Sequence, residues 1–276
     1  MNLFQDTKIA FIGAGAMGSA MIGGLLNKNL IPATHIIAAD PHADQGNKLV
    51  QQYGIQFTQD NLEAARFADI VVLAIKPQVL EKVTQPLRGQ LDHVSLVLSI
   101  IASIRLHTLV ESLLNSRIVR SMPNTPAQIG EGMTVWCATR EVPAPQHAQA
   151  AALLGALGDQ LYIEDERLMD MATALNGSGP GFVFLFIESM IDAGVRMGFT
   201  HRDATRLVLQ TLKGSINYAL ESGQHPAILR NQVTSPGGTT AAGLYELEKS
   251  NIRTAVAEGI WAAYRRAVEL GGGDVK

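Results

Sequence analysis

A single cysteine in 276 residues, Cys137, leaves no intramolecular disulfide framework and no cysteine-rich zinc site. Its place in the apolar run Thr134–Ala138 reads as a small core residue rather than a nucleophile. The seven histidines are scattered without HExxH or other ligand spacing, so no metal is expected. There is no G-x-S-x-G elbow, and no Ser–His–Asp order can be argued. Charge is scarce: Asp, Glu, Lys and Arg make up 17% of the chain, 25 acidic against 22 basic, for a net charge of −3. With no basic excess and no basic run, neither nucleic acid nor an anionic membrane surface is an expected partner. The most apolar stretch, 182–197, carries Glu188, Asp192 and Arg196 and reads as too short and too charged to span a bilayer. Residues 1–12 read as too short and too polar at their start for a signal peptide. A reduced, soluble, cytoplasmic setting is the expectation.

What is present is a globular mix. Hydrophobic residues reach 47%, too many for disorder to dominate. The 26 glycines and 11 prolines show no period, which excludes a collagen-like chain. At about 150 residues per domain the length suggests two domains. The first half alternates apolar runs (9–12, 36–39, 70–75, 96–101, 118–120, 133–138) with helical segments such as 15–28 and 45–53. Runs without period-2 alternation indicate strands buried on both faces, hence a parallel sheet covered by helices. After about residue 166 no strand is convincing, and 182–197, 201–221, 239–248 and 252–270 read as helices. The first of these is apolar nearly all round, which predicts burial, either in its own domain or between subunits. The expected fold is α/β: a Rossmann-type doubly wound sheet over 1–164, then an all-α dimerisation domain over 165–276.

Four motifs carry chemistry. Gly13-Ala14-Gly15-Ala16-Met17-Gly18 follows an apolar run and opens a helix, the junction that a GxGxxG fingerprint requires. Its glycines permit a tight turn, close approach of a pyrophosphate and close helix–strand packing. Asp40 ends the second strand, 22 residues after Gly18, where a carboxylate accepts ribose hydroxyls and repels a 2′-phosphate. As Asp before Pro it also fits a plain turn, so NAD and NADP both stay open. Ala74-Ile75-Lys76-Pro77 closes the third run at the sheet edge where ligands bind. Ser235-Pro236-Gly237-Gly238-Thr239-Thr240 reads as an N-cap serine, proline at the first helical position and exposed glycine N–H groups. Two glycines there weaken a helix by roughly 1 kcal/mol each, which points to a small carboxylate held at the helix terminus. Two further segments are less specific. Residues 176–182, Asn-Gly-Ser-Gly-Pro-Gly-Phe, either approach a ligand or pack tightly against the first domain. Residues 120–126, Arg-Ser-Met-Pro-Asn-Thr-Pro, read as a rigid loop after a strand.

Together these residues resemble pyrroline-5-carboxylate reductases over essentially the whole chain. The resemblance is carried by Phe11–Gly18, Ala74–Pro77, Met122–Pro126, Gly177–Pro180 and, most specifically, Ser235–Thr240. It implies NAD(P)H-dependent reduction of 1-pyrroline-5-carboxylate to L-proline, an active site between the two domains, and a helical domain interlocked with a partner subunit. It implies that Asn61 lies near the adenosine ribose and that Ala74, Lys76 and Pro77 line the cofactor. Ser235, Thr239 and Thr240 would belong to the loop holding the substrate carboxylate, with Thr240 beside the ring nitrogen. Asn176 and Gly181 stand where the family usually has Ser and Ala, Phe182 where it often has Tyr, and Asp40 where several members carry small polar or basic residues. A protonated cyclic imine is already electrophilic, so hydride transfer needs positioning more than acid–base help. The rival within the same architecture, a 3-hydroxy-acid dehydrogenase, needs a base, and the segment 177–186 has no lysine. A nucleotide-binding regulator without turnover would keep Gly13–Gly18 but has no use for Ser235–Thr240.

Overall fold

Aliphatic runs that stop at Gly, Pro or Asp become short strands, and the segments between them become helices. A computed structural model describes residues 3–274 of the chain. In order they form β1 (Ile9–Ile12), α1 (Ala16–Asn27), β2 (Ile36–Ala39), α2 (Ala43–Tyr53), β3 (Gln56–Thr58), α3 (Asn61–Phe67), β4 (Ile70–Leu73), α4 (Leu80–Leu87), β5 (Leu96–Ser99), α5 (Leu106–Leu113), β6 (Ile118–Met122), β7 (Gly132–Ala138), α6 (Ala144–Gly155), β8 (Gly158–Tyr162) and α7 (Leu168–Ala172). The helices α8 (Gly179–Arg196), α9 (His201–Ser222), α10 (Pro226–Gln232), α11 (Thr239–Lys249) and α12 (Ile252–Leu270) complete the chain.

All eight strands lie in one sheet, ordered β3-β2-β1-β4-β5-β6-β7-β8. Its first six positions have the order of a dinucleotide-binding sheet, which reverses between β1 and β4. The pleat explains why the strands read as continuous apolar runs. Ile9, Phe11, Ile70 and Val72 enter one core with Met21, Leu25 and Leu153 of α1 and α6. Their neighbours Ala10, Ile12, Val71 and Leu73 enter a second core with Ala64, Leu87 and Leu109 of α3, α4 and α5. Each fully buried Leu, Ile or Val contributes about 1.5–3 kcal/mol. The expected doubly wound sheet is thus present.

Two strands escaped the sequence reading. β3 and β8 sit at the sheet edges, where one side meets water and polar residues such as Gln56, Asp159 and Gln160 are tolerated. β7 also departs from the all-parallel expectation: it is antiparallel to β6. The connection between them, residues 123–131, is too short for the crossover that a parallel pair needs. Arg120, read as the end of the run 118–120 and the start of a loop, lies inside β6, which extends to Met122.

The chain divides into two compact units, one comprising residues up to Ser178 together with those from Ala263, the other Gly179–Ala262. The sequence reading put the boundary at 164/165. Residues 165–178 group with the sheet because Arg120 of β6 binds Glu166 at 2.8 Å and Asp170 at 3.3 Å. Cys137 is buried beside Met169. Burial, with the charge of Glu166 adding and Arg120 opposing, pushes its thiol up to about 12, so it stays protonated and unreactive near neutral pH.

In the second unit α8 packs against α9 so closely at Gly194 that a Cβ added there would lie 3.0 Å from the Cβ of Ala204. Of the two alternatives for α8, burial in its own domain or between subunits, the first does not hold. Of its residues only Gly194 is buried, and Phe184 and Leu185 are 59% and 63% exposed. The helical run Leu168–Arg196 spans 29 residues and contains an 18-residue window of mean hydropathy 1.2, so it is longer than the stretch read from sequence and sufficient by length and composition alone to cross a bilayer.

Candidate functional site

The glycine loop is shaped by sterics. Gly13 follows β1 with φ +107°, and a Cβ there would lie 2.4 Å from the Ala74 carbonyl oxygen. A Cβ at Gly18 would lie 2.3 Å from the Gly13 carbonyl oxygen, so α1 comes as close to the loop as a glycine allows. At Gly15, by contrast, nothing lies within 4 Å of the Cβ position. Gly15 is also the N-cap of α1, with no side chain capping the helix and no acidic residue in its first turn. The first N–H groups of α1 therefore face open space with the positive end of the helix dipole behind them. A pyrophosphate fits this site, and the residues present fit a dinucleotide cofactor.

Asp40 is placed otherwise than a simple ribose acceptor. It is buried, its Oδ2 accepts the Ala14 N–H at 2.9 Å, and its Oδ1 accepts the His42 N–H at 2.9 Å. The carboxylate first braces the glycine loop against the end of β2. Only its remaining lone pairs are left for a ribose hydroxyl. Ala14, expected among the cofactor residues, has its N–H turned to Asp40, and both Ala14 and Gly18 are buried beneath the loop.

The other expected cofactor residues come together at the carboxyl ends of β1, β2 and β4, where the strand order reverses. Gly13, Gly15, Asp40, Asn61, Ala74, Ile75 and Lys76 line a cleft of about 520 Å³. An adjoining section of about 340 Å³ is lined by Gly15, Ala16, Met17, Ala74, Ile75, Lys76 and Pro77, so four residues are shared. Asn61 is the first residue of α3, whose N-terminus is capped by Asp60 through the Leu62 N–H at 2.8 Å. The sequence reading did not assign Gln59 and Lys82 to the Asp40 end, or Met122 and Pro123 to the other end. Met122 and Pro123 lay within a motif already singled out. Lys82 carried no signal, being one surface lysine of a short helix.

Ser235–Thr240 lie in the second unit. Ser235 is not the N-cap and Pro236 is not helical: α11 begins at Thr239 with Gly238 as its N-cap. Residues 235–238 form a turn instead, closed by the Gly238 N–H donating to the Ser235 carbonyl at 3.0 Å, with Gly237 at φ +69°. The Gly-Gly pair therefore weakens no helical turn, because it precedes the helix. No side chain caps α11 and its first turn holds no acidic residue. Its N–H groups, with the hydroxyls of Thr239 and Thr240, suit a carboxylate. Among the described residues no group of His, Cys, Asp or Glu is placed to hold a metal ion.

Two family models match separate segments of the chain. Residues 166–270 match the family described as pyrroline-5-carboxylate reductase dimerisation. Residues 8–103 match the family described as NADP oxidoreductase, coenzyme F420-dependent. The chain is 41% identical to a pyrroline-5-carboxylate reductase of Pseudomonas aeruginosa, covering 95% of this chain and 96% of that one. It is 39% identical to one of Synechocystis, covering 97% and 99%. The crystal structure of the Plasmodium falciparum pyrroline carboxylate reductase with NADP bound superposes with a TM-score of 0.88 at 34% identity, covering 97% of this chain and 99% of that one.

Proposed function

Since the chain belongs to the pyrroline-5-carboxylate reductase family, and so reduces 1-pyrroline-5-carboxylate to L-proline with NADP or NAD as the cofactor, we propose how its own residues divide the work. Gly13, Gly15 and the N–H groups of Ala16 and Met17 hold the cofactor pyrophosphate, with Ala14 anchoring the loop through Asp40 and Gly18 letting α1 pack against the loop. Asp40, Asn61 and the neighbouring His42 and Lys82 face the adenosine ribose. Ala74, Ile75, Lys76 and Pro77 line the way to the nicotinamide. Ser235, Gly237, Gly238, Thr239 and Thr240 hold the substrate carboxylate at the N-terminus of α11. The observation that carries this reading is the pair of uncapped helix N-termini, at α1 and α11, each preceded by glycines that leave its N–H groups uncovered.

The bound cofactor supplies the hydride. The protein's task is to fix the ring so that its imine carbon faces the donor while the C=N electron pair moves onto nitrogen. A protonated imine needs no general base for this step, which suits a chain whose one thiol is buried and protonated. The Thr240 hydroxyl is the group that orients the ring nitrogen. Thr240→Ala is expected to lower kcat about tenfold to a hundredfold, the value of one hydrogen bond to a charged group. Cofactor affinity should not change, because α1 and its loop are untouched, and Thr240→Ser should restore most of the rate. Steady-state kinetics with titration of the reduced cofactor checks this; unchanged kcat in Thr240→Ala removes the role.

The chain forms a homo-oligomer through its dimerisation segment. The exposed apolar residues of α8, Phe182 to Phe186, are the surface we assign to the contact between copies rather than to a bilayer. A cytoplasmic location, without a nucleic-acid or membrane partner, belongs to the same reading.

A further inference from the structure

We propose that Asn176 is a positioning residue for hydride transfer, clamping the Met122–Pro123 wall of the cofactor cleft; the proposal rests on the cofactor placement given above. Asn176 lies in a π-helical turn, Thr173–Gly177, that follows α7. Such turns recur at functional sites, and the hydrogen bonds of this one give it a definite task. The Nδ2 group donates to the Met122 carbonyl at 3.1 Å and to the Met133 carbonyl at 3.0 Å. Its Oδ1 accepts from Asn124 Nδ2 at 2.9 Å, and Asn124 Oδ1 in turn accepts the Met133 N–H at 3.0 Å. Both donor hydrogens of one amide are thus committed to two strands.

The place of this clamp explains its use. The β6–β7 ladder stops at the pair Met122–Val135. Pro123 has no N–H with which to extend it. Beyond that point the Asn176 and Asn124 side chains do the joining. A second contact fixes the same wall: a Cβ added at Gly177 would lie 2.7 Å from Met122 Cε, so the Met122 side chain rests directly on the Gly177 backbone.

Met122 and Pro123 line the smaller section of the cleft, which opens beyond Gly15 on the side away from Asp40. With the pyrophosphate at the start of α1 and the adenosine ribose by Asp40, that section receives the nicotinamide ring. Affinity comes mainly from the phosphate and ribose end. The wall instead sets the position of the ring carbon that gives up hydride, and a displacement of about 1 Å there can cost on the order of a hundredfold in rate. Asn176 therefore acts on kcat, through Met122 and Pro123, rather than on binding.

The test compares wild type with Asn176→Ala, which has no donor, and Asn176→Ser, which has one. NADPH affinity, the emission of bound NADPH and kcat with 1-pyrroline-5-carboxylate are measured on each. The expected result for Asn176→Ala is a kcat lower by about tenfold or more, NADPH affinity within about threefold, and a changed emission, with Asn176→Ser between it and wild type. A kcat within about twofold of wild type, an affinity loss as large as the rate loss, or unchanged emission overturns the proposal. If Asn176→Ala does not fold, Asn176→Ser decides by the same three readings. A wild type that binds NADPH without reducing the imine defeats the reaction assignment instead, and the emission comparison still decides the role of Asn176.

Discussion

Gly13→Ala should unfold the first unit more easily by about 3–5 kcal/mol, while Gly15→Ala should leave stability near wild type and abolish tight cofactor binding. The two glycines sit in one loop but carry different constraints. At Gly13 the backbone has φ +107°, and an alanine Cβ would stand 2.4 Å from the Ala74 carbonyl oxygen, an atom of the neighbouring strand end that cannot rotate away. Strain and overlap therefore add. At Gly15 the backbone is extended, φ −68° and ψ −174°, a conformation alanine adopts freely, and its Cβ would meet nothing within 4 Å. That empty space is where we place the pyrophosphate, so a methyl group there displaces ligand rather than protein. Urea denaturation read by the fluorescence of Trp136, buried in this unit, gives the stability, and NADPH titration gives the affinity. Equal stability losses in the two variants, or wild-type affinity in Gly15→Ala, would contradict the assignment.

Arg120→Met is the second large effect, with an expected loss of about 3 kcal/mol. The guanidinium is 3% exposed and is held by Glu166 and Asp170, whose side chains are 27% and 11% exposed. Glu166 Oε1 also accepts the Leu106 N–H at the start of α5, at 2.7 Å. Removing the cation leaves two carboxylates facing each other with little water, and the access to water that Glu166 keeps holds the loss at the low end of the range for buried pairs. Adding Glu166→Gln and Asp170→Asn to Arg120→Met should recover part of the loss, since neutral amides need no counter-charge. The same denaturation assay measures both; a single variant within about 0.5 kcal/mol of wild type would mean that the pair is worth no more than a surface salt bridge. Because Glu166 and Asp170 precede the Thr173–Gly177 turn, loosening them should also reach the Asn176 clamp.

How far the sequence spoke depended on where a residue sits relative to water. The central strands were legible because both faces are buried, so 9–12, 70–73 and 96–99 are nearly all aliphatic. β3 and β8 were not, because at an edge Gln56 or Asp159 offends nothing. A single charge in an apolar run, Arg120, suggested the end of a strand; its partners lie 46 and 50 residues away, beyond any local pattern. At the site, glycine spacing located the phosphate loop, but not that Asp40 spends both oxygens on backbone N–H groups. Ser-Pro looked like a helix start because those residues favour one, and only the turn closed on Ser235 moves the start to Thr239. For α8 the apolar surface was plain, but whether its own domain or a second copy covers it is not a property of local sequence.

The measurement closest to the central claim is the loss of reduced-nicotinamide absorbance on adding 1-pyrroline-5-carboxylate to the enzyme with NADPH, and separately with NADH. The expected result is imine-dependent, saturable oxidation of at least one cofactor, abolished at working cofactor concentrations in Gly15→Ala and much slowed in Thr240→Ala. Folded protein that binds NADPH or NADH, yet oxidises neither when the imine is present, would contradict it.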